Sequence, residues 1–289
     1  HSSDMDVPTE DVGTAARAAG WRGHVVDSRT ALPANRTGRP AKDIGRYSVL
    51  PFYDETYADL ANLGYQLANS PEQHRFCADI KIWSQLLADF TPRTWTEGWD
   101  RLPDGAYVLK GATNSRKHKW NTHMFAPTKA DVPTVFARLL DDSLIAPQGI
   151  VAREYVPLVK LGDQINGAPF THEYRLFYWG RRFVAGGFYW SSFEDAENFK
   201  GVPAAARAMG DKCADAMLAA AIESGAETWP LQGVWPAMFY VLDVAETQAG
   251  NWILIEVNDG QMSGLSEIDP VEFYRSLWGI VSWSGDTER

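Results

Sequence analysis

Residues 239–260, FYVLDVAETQAGNWILIEVNDG, form two apolar runs on either side of a glycine-containing turn. Side chains alternate along a strand, so Glu256 and Asn258 are expected on one face and Ile255 and Val257 on the other. A hairpin closing symmetrically about Ala249 and Gly250 brings Asp243 opposite Glu256 and Val241 opposite Asn258. Two carboxylates side by side on a sheet repel one another unless a cation lies between them. The oxygens of Asp243, Glu256 and Asn258 suit a hard ion such as Mg²⁺, which commonly takes nucleotide phosphates as further ligands. The alternative is a solvated hairpin with its acids turned to water.

Working outward, EYRLFYWG (173–180) and RRFVAGGFYW (181–190) read as a second hairpin joined at Gly180-Arg181. Glu173 and Arg175 share a face of the first strand, with Tyr174 and Leu176 on the other. Such a pair is either a cross-strand salt bridge or a charged cleft wall facing phosphate and metal. Phe188, Tyr189 and Trp190 read as core, with stacking on a substrate as the alternative. The segment LVKLGDQINGAPFTH (158–172) carries the Gly, Asn and Pro of an irregular connection.

Further upstream, AYVLKG (106–111), GATNSRKHKWNTH (111–123), ADVPTVFARLLDD (130–142) and GIVAREYVPL (149–158) give the order strand, loop, helix, strand. That is a small two-layer unit. Lys110 ends its strand against the apolar Tyr107, Val108 and Leu109. Arg116, Lys117, His118 and Lys119 then crowd one loop, as polyphosphate binding requires, although a solvated charge run would look the same. Arg153 and Glu154 take opposite faces. The exit at Tyr155-Val156-Pro157 offers backbone groups that an adenine edge could use.

The N-terminal third mixes strand-like runs around Val25 and Val49 with helical patterns in ETYADLANLGYQLANS (55–70) and EQHRFCADIKIWSQLLADF (72–90), the latter closed by Thr91-Pro92. An α/β lobe is expected there. VPAAARAMGDKCADAMLAAAIES (202–224) reads as a helix with Gly210 as its weak point, and DPVEFYRSLWGIV (269–281) as a terminal helix.

At 289 residues and 45% hydrophobic content the chain can bury a substantial core. With 27 Lys plus Arg against 37 Asp plus Glu, the formal charge of −10 argues against general affinity for nucleic acid or anionic membrane. Any anionic ligand must be held by a local cluster. Cys77 and Cys213 are too far apart in sequence for a zinc site or a disulfide framework, so both are expected as buried filler in a protein of the reducing cytoplasm. No apolar run approaches the ~18 residues of a membrane span, and no charged-then-apolar leader opens the sequence, so a soluble protein is expected.

The order of these features resembles the ATP-grasp superfamily, in which two α+β lobes hold ATP between them. The resemblance covers roughly Asp79 to Asp269 and is strongest to the divergent clade named for an arginine and two lysines. That clade includes eukaryotic cell-division-cycle factors that assemble a translation initiation factor. The resemblance implies an α+β fold with a small α/β N-terminal lobe (4–100), a central lid lobe (101–156) and a C-terminal lobe with the metal hairpin (157–289). It implies that Lys110 contacts the α and β phosphates and that Lys117 or Lys119 belongs to the loop above them. With a single glycine, that loop would use side chains rather than backbone N–H groups. Arg153, Glu154, Tyr155, Val156 and Glu173 would complete the nucleotide site, with residues 154–156 touching adenine. Arg175 would bind the γ-phosphate, Asp243, Glu256 and Asn258 would hold Mg²⁺, and Lys81 either matches a further family lysine or is a surface helix residue. The implied activity is an ATP-dependent carboxylate–amine ligase working through an acyl phosphate. An assembly factor with little turnover and a small-molecule kinase are the alternatives. The carboxylate and the amine are not identified.

Overall fold

The computed structural model describes residues 9–22, 31–35, 42–46, 52–164, 167–223 and 238–284. In chain order the elements are α1 (Thr9–Ala18), β1 (Lys42–Asp43), α2 (Tyr53–Asn62), β2 (Gln66–Leu67), α3 (Pro71–Ala78), α4 (Ile80–Leu86) and β3 (Thr94–Trp95). Next come β4 (Tyr107–Gly111), β5 (Phe125–Ala126), α5 (Val132–Leu140), β6 (Ile150–Glu154), β7 (Lys160–Asp163), β8 (Pro169–Thr171), β9 (Glu173–Trp179) and β10 (Arg182–Phe188). The chain ends with α6 (Ala204–Glu223), β11 (Phe239–Glu246), β12 (Trp252–Asp259) and α7 (Pro270–Ser284). Two four-stranded antiparallel sheets, β3-β6-β4-β5 and β10-β9-β11-β12, carry an α+β architecture. The first sheet recruits Thr94–Trp95 from the N-terminal side of residue 101.

The second sheet is covered on both sides. Tyr174, Leu176, Tyr178, Tyr240, Leu242, Val244, Leu254 and Val257 face a core shared with Phe76, Trp83, Cys213 and Met217 from α3, α4 and α6. On the opposite face Phe177, Trp179, Phe239 and Val241 pack under Phe273, Tyr274 and Leu277 of α7. Each such large side chain, once buried, stabilises the fold by about 1.5–3 kcal/mol. Farther along β9, β11 and β12 this second face turns polar and presents Glu173, Arg175, Asp243, Glu256 and Asn258. One sheet face is therefore core at one end and candidate site at the other.

The β11–β12 register places Asp243 opposite Glu256 and Val241 opposite Asn258, as symmetric closure predicts, but by another route. Glu246 pairs with Trp252, leaving a five-residue connection in which Thr247 N–H donates to Asn251 C=O at 2.7 Å and Gly250 has φ +80°. The ladder then skips Ile255, a β-bulge, and the two one-residue offsets cancel. The bulge moves Ile255 off the face of Val257: Ile253, Ile255 and Glu256 line one wall, whereas Leu254 and Val257 enter the core.

Other expectations hold or shift for local reasons. β9 and β10 form the hairpin across Gly180-Arg181, with Gly180 at φ +56°. α2 stops at Asn62, short of the predicted residue 70, because Gly64 turns the chain at φ +85°. The predicted helix over 72–90 is two helices. Asp79 is extended (φ −95°, ψ 107°) and caps Lys81 N–H, while Ile80 N–H leaves the helical ladder for Ala112 C=O at 3.0 Å. The connection at 158–172 contains an antiparallel pair, β7 with β8. Gly210 lies where α6 crosses the sheet: a Cβ there would stand 2.6 Å from the Tyr178 hydroxyl and 2.7 Å from Leu176. Cys77 and Cys213 are both buried and free. The runs around Val25 and Val49 lie outside the described residues. Among the described residues no helix is long and apolar enough to cross a membrane.

Candidate active site

The two sheets face each other across a cleft with a cavity volume of about 190 Å³. Alternation along β4 sends Tyr107 and Leu109 into the core against α5, and Val108 and Lys110 toward the cleft. Lys110 is 6% exposed, and its Nζ pairs with Glu256, 146 residues away on β12. Burial alone would raise the Glu256 carboxyl. Lys110 outweighs it together with Lys117 and Arg153, and the carboxyl is held at about 2.

Arg175 stands directly across from Asp243 in the β9–β11 ladder. Its Nε and Nη2 donate to the two Asp243 oxygens at 2.9 Å each, and Nη1 donates to Gly264 C=O at 3.2 Å. The cross-strand salt bridge is thus the observed geometry, and it is fully buried on the Asp243 side. Asn258 Nδ2 lies 3.4 Å from Asp243 Oδ2. The repulsion expected between the two acids is met by one protein cation for each.

Lys117 begins a short 3₁₀ turn, Lys117–Lys119, and reaches across the cleft to donate to the Tyr189 hydroxyl at 2.5 Å. Arg116 is spent on Asp142, with Nε and Nη2 at 2.6 and 2.5 Å. Gln148 fastens the start of the loop by accepting from Thr113 and Asn114 N–H. Gly111 permits this, since a Cβ there would sit 2.7 Å from Gln148 Oε1. The basic loop is therefore tethered at Arg116 and Lys117, while His118 and Lys119 are exposed.

Arg153 is a staple between the sheets: Nη1 donates to Ile255 C=O at 2.7 Å and Nη2 to Thr91 Oγ1 at 2.6 Å. Burial lowers its pKa to about 10. Glu154, Tyr155 and Val156 line the cleft. Two of their backbone N–H groups are committed, Glu154 to Arg93 C=O and Tyr155 to Ala106 C=O, both at 2.9 Å. Glu173 also lines the cleft, accepting from Thr171 Oγ1 at 2.9 Å. Burial and the nearby Asp243 push its carboxyl up to about 7, against the pull of Lys117 and Arg175.

Two of the candidate residues lie elsewhere. Lys81 Nζ donates to Gln148 C=O at 3.0 Å and pairs with Asp79, and neither it nor Lys119 is among the cleft-lining residues. Sequence reasoning missed Ile253, Ile255, Trp120, Trp190 and Pro169 as cleft walls. It also assigned Tyr189 to the core, and an aromatic at a strand end gives no signal that two cations will gather on it.

Asp243, Glu256 and Asn258 form an oxygen donor set that fits Mg²⁺ rather than a soft metal. Among the described residues there is no group of three or more His, Cys, Asp or Glu that could hold an ion. A cation here would therefore depend on Asn258 and on oxygens from outside the protein.

Solved structures with the same fold include D-cycloserine synthetase DcsG, with 14% identity, TM-score 0.56, and 96% of this chain and 94% of that chain covered. A RimK domain ATP-grasp protein from Sphaerobacter thermophilus shares 16% identity at TM-score 0.52, with 96% and 97% covered. The ATP-grasp ligase PsnB, solved with a precursor variant, Mg and ADP, shares 13% identity at TM-score 0.52, with 98% and 95% covered. A search of curated protein sequences finds no match. The family model for an ATP-grasp domain, family 3 of the clade named for an arginine and two lysines, matches residues 96–277, more than half of the chain. The chain belongs to the ATP-grasp domain family whose model it matches over these residues.

Proposed function

We propose that the protein is an ATP- and Mg²⁺-dependent carboxylate–amine ligase of the divergent clade with the arginine and two lysines, here Arg175, Lys110 and Lys117. One observation carries the reading: Lys110 of the central sheet meets Glu256 of the C-terminal hairpin, so cationic and acidic groups from two lobes converge on one cleft. Val156 N–H would read the adenine edge, its two neighbours being committed. Lys110 and Lys117 would take phosphate oxygens on one side. Arg175 would steady the γ-phosphoryl group as charge spreads over it. Asp243, Glu256 and Asn258 would hold Mg²⁺, which when bound offsets the charge of the triphosphate. Glu256, kept ionised by its lysines, is in the protonation state that this role needs.

In the reaction a substrate carboxylate oxygen bonds to the γ-phosphorus and ADP departs. The amine nitrogen then bonds to the acyl carbon and phosphate departs, with one proton released from the amine. The chain's part is to orient the acceptor and to keep water from the acyl phosphate, and Trp120 and Trp190 on the cleft walls supply apolar cover. The test is incubation with ATP, Mg²⁺ and pools of amino acids and peptides, followed by ADP, phosphate and amide analysis by mass spectrometry. Stoichiometric ADP, phosphate and amide support the proposal. ADP with a stable phosphorylated product and no amide would make the protein a kinase, and no binding of ATP at millimolar concentration would remove the proposal altogether.

A further inference from the structure

Tyr189 follows the last residue of β10 and lies behind the cleft wall that Trp190 forms. It is 5% exposed, and its N–H is held by Glu173 C=O at 2.9 Å, which fixes the backbone from which the ring projects. Three contacts converge on this one side chain. Lys117 Nζ donates to the hydroxyl at 2.5 Å and lies 4.4 Å from the ring centroid, and the Arg175 guanidinium carbon lies 4.6 Å from the same centroid. Trp190 adds a second ring 5.3 Å from Lys117 Nζ and packs edge-on against Tyr189.

These two cations come from different lobes. Lys117 sits on the basic loop of the central sheet and Arg175 on the central strand of the C-terminal sheet, and bringing them together costs repulsion. An aromatic face attracts both, and a hydroxyl that accepts from Lys117 gives that lysine a fixed direction. Their alignment thus exists before any anion arrives, so less order must be imposed when one binds. We propose that Tyr189 is a positioning residue that latches the basic loop to the C-terminal sheet and aligns Lys117 with Arg175 for a polyphosphate. The proposal rests on the nucleotide reading of the cleft, and Tyr189 itself is not among the residues that line it.

The test uses the full chain in two arms. The first needs no nucleotide: amine acylation is followed by mass spectrometry at Lys117, with exposed Lys119 of the same molecule as the internal standard. Tyr189→Phe keeps the ring and removes the hydroxyl, and should raise Lys117 labelling relative to Lys119 about tenfold, as expected for loss of a hydrogen bond to a charged group. The second arm measures affinity for a non-hydrolysable ATP analogue with Mg²⁺ by calorimetry. Tyr189→Phe should weaken it by about the same factor, Tyr189→Leu should weaken it further, and Tyr189→Phe should add nothing in a Lys117→Met background, as a coupled pair requires. Equal labelling in wild type and Tyr189→Phe would overturn the proposal, as would losses that simply multiply in the double variant. A wild-type chain that does not bind the analogue sinks the ATP reading instead, and the labelling arm alone then decides whether Tyr189 holds Lys117.

Discussion

Lys110 and Glu256 show how much a single residue of this site does for both fold and ligand. Removing the cation in Lys110→Met leaves a mostly buried carboxylate without its nearest partner, which should destabilise the fold by about 3 kcal/mol in urea titration. Adding Glu256→Met should recover most of that stability while leaving nucleotide binding lost. Recovery of binding in the double variant would separate the pair from the proposed site. Glu173 and Glu256 act in opposite directions on pH. The folded value of Glu173, about 7, exceeds the ordinary 4.5, so the fold favours its protonated form. That contribution is complete below pH 4.5 and is lost as pH rises through 7. Glu256, lowered from 4.5 to about 2, stabilises above pH 4.5 and loses its contribution as pH falls through 2. Glu173→Gln should therefore flatten the fall in melting temperature between pH 4.5 and 7, and an unchanged slope would assign that fall to other groups.

Among the elements, α6 makes a sharp prediction because helix propensity and packing disagree at Gly210. Alanine would gain the helix about 1 kcal/mol. Its Cβ would also meet the Tyr178 hydroxyl and Leu176 at 2.6 and 2.7 Å, and overpacking of that kind costs about 1–3 kcal/mol. Gly210→Ala should thus lower the urea midpoint, whereas a higher midpoint would show that the sheet can yield. The same level of structure explains what the sequence could and could not reveal. Alternation in the strands and the position of Gly250 were enough to pair Asp243 with Glu256, because the longer turn and the bulge at Ile255 offset one another. That cancellation hid the cleft-facing side of Ile255. The break at Asp79 was hidden because Ile80 N–H gives up its helical partner for Ala112, a distant residue that no local pattern reports. Lys81 and Lys119 kept their place as candidates for the same reason, since charge type is local and direction is not. Tyr189 was missed because its role arises only where β10 and the basic loop meet.

For the whole molecule, ligand and fold are linked by mass action. A nucleotide analogue with Mg²⁺ at about 100 times its dissociation constant adds about 2.7 kcal/mol of stability, which in a chain of this size raises the melting temperature by roughly 5–10 °C. Calorimetric melting with and without analogue measures this, and coincident transitions would speak against any nucleotide site. The N-terminal helices take part as well, because α3 and α4 close one side of the C-terminal sheet and Trp21, just beyond α1, donates to Tyr274 C=O of α7 at 2.8 Å. β9, β11 and β12 each carry aromatic or aliphatic weight under α7 at one end and charge at the other. Like planks clamped at one end and loaded at the other, they cannot tilt locally, so an event among the acids is felt at the far support. Amide exchange along α7 would then serve as a remote gauge of whether the other end is occupied.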